Sequence, residues 1–159
     1  MTDDPTSMRA RKALTMSSKI DQFTESLRQS LTKMEGQLER ARADIKSVQQ
    51  DDKGALEAKL RDARHFVEAT REKTKTAGAR IQVWIKAKEA TGAAMIASWR
   101  DKAEMTKLEA HADRVEEHAS AAVTYAEGAM ADALVATFEA LEARLAADEA
   151  VASTTRSSR

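Results

Sequence analysis

The chain has 159 residues, no cysteine, one proline and five glycines, and its 26 Lys and Arg balance 26 Asp and Glu. Hydrophobic residues make up 42%, but aromatics only 4% and charged residues 33%, a mixture that marks long helices or coiled coil. This inventory excludes disulfides, thiolate metal sites and thiol nucleophiles. It leaves no run near the ~18 apolar residues of a membrane span, and it directs stability to helix propensity and helix–helix seams.

Residues 1–16, with Pro5 and mixed small polar residues, predict a flexible segment. Arg9, Arg11 and Lys12 look like the charged start of a signal peptide, but no apolar stretch follows, so none is predicted. With the lack of cysteine this points to a reducing, cytoplasmic location. Ser18 and Asp21 then form a plausible helix-capping pair. An apolar stripe follows through Ile20, Phe23, Leu27, Leu31, Met34, Leu38, Ala41, Ile45 and Val48, and predicts a helix over 18–50. The segment QQDDKG, with two aspartates and a glycine, predicts a reversal over 51–54.

A second stripe runs from Leu56 and Leu60 through Ala63, Val67, Ala77, Ile81 and Trp84 to Met95 without a phase change. It predicts a long helix over 55–150 that passes through Thr91–Gly92, since one glycine in a helix costs only about 1 kcal/mol. A kink or hairpin at that dipeptide is the alternative. From residue 112 alanine recurs in heptad register. Ala112, Val115, Ala119, Ala122, Ala126, Ala129, Ala133, Ala136 and Ala140 form the predicted oligomer seam, close enough for helix axes about 8 Å apart. Beside it lie Met130, Leu134, Phe138, Leu141 and Leu145. An arc this wide calls for two neighbours. The fold expected is therefore all-α: an antiparallel helical hairpin or coiled coil with a long second helix, assembling into a bundle. Residues 17–150 form its one domain, and residues 151–159 are expected to be a disordered tail.

The tract KLEAHADRVEEHASAAVTYAEGAMADALVATFEALEARLAADEA, about the last third of the chain, resembles the C-terminal part of uncharacterised bacterial alanine-rich coiled-coil proteins. That resemblance implies a helical fold and no known activity. It carries no functional residue over.

Charge is uneven along the chain. Residues 1–90 hold 19 Lys and Arg against 14 Asp and Glu, a balance of +5, and residues 91–159 hold 7 against 12, a balance of −5. Either the surface composition drifts, or the acidic C-terminal helix lies along basic helix in its own chain or a partner's. Neither reading supplies the clustered basic face of a nucleic-acid binder.

Few residues suggest chemistry. His111 and His118, with Glu104, share a helix face, but two turns separate the imidazoles by about 10 Å, too far for one metal ion. Asp62-Ala-Arg-His65 stands alone where di-iron bundles use paired Glu-x-x-His. Glu116 and Glu117 are adjacent and point apart. No phosphate loop or nucleophile elbow occurs. No catalytic, metal or cofactor site is expected, and the chain is read as non-enzymatic. The most apolar patch, Trp84, Ile85, Met95, Ile96 and Trp99, is the candidate partner surface if it is more than core. The function expected is a self-associating structural or scaffolding protein, most simply a homodimer. The alternatives are an amphipathic-helix protein on a lipid or granule surface, phasin-like or apolipoprotein-like, and a stress-protection helical protein.

Overall fold

The computed structural model describes residues 5–48 and 53–157. They form four helices: α1 (Pro5–Val48), α2 (Lys53–Ala90), α3 (Ala93–Asp101) and α4 (Met105–Ser157). No strand occurs among the described residues. The chain is all-α, as its composition requires.

Three boundaries differ from the sequence expectation. The helix begins at Pro5, well inside the segment expected to be flexible. Proline suits the first helical turn, where its missing N–H has no intrahelical partner to lose. The C-terminal segment is helical to Ser157. There the Ser153 and Thr154 hydroxyls donate to the Ala150 carbonyl, and that of Thr155 to Val151. Half of the reversal expected over 51–54, residues 51 and 52, lies outside the described residues, as do residues 1–4, 49–50 and the last two of the tail, while Lys53 and Gly54 are already the first residues of α2.

The third difference is the largest. The helix expected over 55–150 is broken twice. It stops at Ala90, and Gly92, with φ −79° and ψ 160°, becomes the extended N-cap of α3. Its carbonyl accepts from the N–H groups of Met95 and Ile96. α3 then ends in a Schellman turn. The Glu104 N–H donates to the Trp99 carbonyl at 2.8 Å and the Ala103 N–H to the Arg100 carbonyl at 3.1 Å. The residue that must take the left-handed conformation is Ala103, at φ 51°. Neither a continuous helix nor a simple hairpin at Gly92 describes this region: α3 is a short corner piece between two antiparallel helices.

The reversal lets α4 lie back along α2. Trp84 meets His118, Gly78 meets Tyr125, Thr74 meets Gly128 and Arg64 meets Glu139, so each step along α2 is matched by a step back along α4. The contact is close. A Cβ built at Gly128 would lie 2.8 Å from the Thr74 Cβ and nearer still to its Oγ1 and Cγ2. Buried Ala77, Ala121 and Ala131 line the same interface. The bulky core sits at the end of the bundle where α1 stops and α2 starts. Leu56, Leu60 and Phe138 are buried there, with Ile45, Ala63, Leu134, Val135, Leu141 and Leu145 packed around them.

α1 runs parallel to α4. Lys19 reaches Asp113 and Lys33 reaches Glu127, both across 94 positions. Near its C-terminal end α1 is tied to α2 by Lys59, whose Nζ donates to Asp44 Oδ1 and Ser47 Oγ, each at 2.6 Å.

Candidate functional site

The corner of the bundle holds both tryptophans, each against a histidine of α4. The Trp84 indole lies flat on His118, with ring centroids 3.7 Å apart and planes 5° from parallel. Trp99, on α3, meets His111 edge-on at 6.3 Å and 64°. Lys88 places its Nζ 5.0 Å from the Trp84 ring centre. The seven-residue spacing put the two imidazoles on one helix face. Their aromatic partners were not visible in the sequence, because they depend on where the chain reverses.

The candidate patch is therefore divided. Trp84, Ile96 and Trp99 are half-buried, while Ile85 and Met95 stay exposed. Beside Trp84, a groove of about 320 Å³ is lined by Ala79, Val83, Ala87 and, from α4, Arg114 and His118. The Nδ1 atom of His118 is buried in this wall without a hydrogen-bond partner. Among the described residues no three His, Asp or Glu side chains converge where one metal ion could sit. Glu104 pairs with Lys107 one turn on. Glu117 faces Arg80 at 3.6 Å.

The predicted oligomer seam occupies a distinct face of α4. Ala121, Gly128, Ala131 and Phe138 form the line buried against the rest of the chain. Within the alanine seam Ala119, Ala122 and Ala126 are half-buried, whereas Ala112, Val115, Ala129, Ala133, Ala136 and Ala140 are exposed. The larger residues beside the seam, Leu134, Phe138, Leu141 and Leu145, belong to the internal core instead.

The charge imbalance is met within the chain. Lys19–Asp113, Lys33–Glu127, Arg64–Glu139 and Arg80–Glu117 each join a cation of the first 90 residues to an anion of α4. All but Lys33–Glu127, whose carboxylate is mostly covered, are largely exposed, and exposed pairs are each worth under about 1 kcal/mol. On α1, hydrogen bonds from Gln29 and Arg28 hold the Glu25 carboxyl below the ordinary carboxylate range. No helix of the described residues is long and apolar enough to cross a membrane.

No protein-family model matches the chain, and neither a curated protein nor a solved structure matches it significantly.

Proposed function

We propose that the chain is a non-enzymatic, self-associating helical protein with a structural or scaffolding role. The observation that carries this reading is the solvent-facing part of the alanine heptad line on α4. Ala129, Ala133, Ala136 and Ala140 repeat in coiled-coil register, yet the chain's own core is built on a different line of the same helix. A regular seam that its own fold does not use is suited to a neighbouring helix at close approach. Light scattering on the full chain tests the reading. A dimer or larger species at micromolar concentration, reduced to monomer by Ala133→Glu with helicity unchanged, supports it. A monomer at every concentration would overturn it.

One observation favours a second reading, attachment to a lipid or granule surface. Leu14, Ile20, Leu31 and Leu38 of α1 are each 46% exposed or more, so α1 carries an apolar face that could lie on an interface. Co-flotation with vesicles separates the two readings.

A further inference from the structure

α1 uses only half of its heptad stripe inside the chain. One line of that stripe, Leu27, Met34 and Ala41, turns into the bundle, and Ala41 is 6% exposed. The other line, Leu31 and Leu38, is 52% and 46% exposed. Beside the exposed line, Asp21, Arg28, Glu35 and Arg42 recur every seven residues, all exposed, with the sign of charge alternating. Among the described residues Arg28 bonds only to Glu25, on its own helix. Asp21, Glu35 and Arg42 make no ion pair among the described residues.

We propose that this face of α1 is a two-fold interface, on which α1 of a second copy lies antiparallel with Leu31 at the axis. In that arrangement Asp21 of each copy meets Arg42 of the other, and Arg28 of each meets Glu35 of the other. All four contacts are between opposite charges, as a self-complementary two-fold surface demands. Leu31 meets its own copy, and Leu38 meets Thr24. The charged set spans 21 residues, about 32 Å of helix. A parallel pairing sets Glu35 and Arg42 against Ser30 and Gln37, which return no charge. The alternation of sign thus selects both the occupant, a second copy, and its direction. The inference rests on the self-association reading and adds to the α4 line a second face, on α1, with its orientation.

The chain has no cysteine, so single-cysteine variants of the full-length protein report the geometry. Leu31→Cys should form a disulfide-linked dimer under mild oxidation. Thr24→Cys or Leu38→Cys alone should not, because each then lies about 21 Å from its copy, but the two combined in one chain should. Cross-linking at all three single sites means a parallel pair and overturns the proposal. No cross-linking at any α1 site, while light scattering still shows a dimer, overturns it and leaves self-association through α4 standing. A wild-type monomer overturns both. In sedimentation equilibrium Arg42→Glu should weaken association about tenfold, and adding Asp21→Arg should restore it. Unchanged association in Arg42→Glu overturns the charge pairing.

Discussion

The Trp84 indole and the His118 imidazole stack nearly parallel at 3.7 Å, and this pair joins the end of α2 to the early part of α4. A stack of this kind contributes beyond the area it buries, by about 0.5–1.5 kcal/mol. A double-mutant cycle with Trp84→Ala and His118→Ala, read by chemical denaturation, should return a coupling energy in that range. Coupling near zero would mean that the rings share space without stabilising the corner.

Gly128 sits where α4 comes closest to Thr74. Gly128→Ala should destabilise by about 1–3 kcal/mol, because the added methyl has no room, and Thr74→Ala should recover part of the loss. Gly92 has open space around it and caps α3 without a side-chain bond. Gly92→Asp should therefore stabilise by about 0.5 kcal/mol, by adding an N-cap oxygen. Thermal denaturation of the two variants checks both signs. Equal effects at the two glycines would contradict the packing described for them.

Ala103 holds the left-handed position of the α3 turn at φ 51°. That conformation costs a non-glycine residue roughly 1–2 kcal/mol, part of which glycine returns as extra freedom in the unfolded chain. Ala103→Gly should raise stability by about 1 kcal/mol in urea unfolding. A loss of stability would place the reversal elsewhere.

Three of the four cross-helix ion pairs of α4, Lys19–Asp113, Arg64–Glu139 and Arg80–Glu117, are exposed, so they are open to screening. Raising sodium chloride from low concentration to about 0.5 M should lower the melting temperature by about 2–4 °C. A melting temperature that rises with salt would show that apolar packing, strengthened by salt, outweighs the whole set of pairs.

Much of the architecture is local, and so it was legible in the residues themselves. The stripe Leu56, Leu60, Ala63 is a period of 3.5 written in neighbouring positions, and it forms the core face of α2. The split between a basic first part and an acidic last part reappears as the pairs from Lys19 to Glu139. Two matters belonged to the tertiary structure alone. The first is where the second helix breaks. Gly92 costs a helix only about 1 kcal/mol, too little to decide between running on and turning back. Turning back buries Phe138 and Leu134 against Leu56 and Leu60, far from the glycine along the chain. The second turn falls at an alanine, a residue that carries no sequence signal for a left-handed φ. The other matter is which side of α4 faces inward. Its apolar arc spans both the alanine line and the line of Leu134, Phe138 and Leu141. Only the approach of α2 and α1 chose the larger side chains, which bury more apolar area per residue, and left Ala129, Ala133, Ala136 and Ala140 to the solvent.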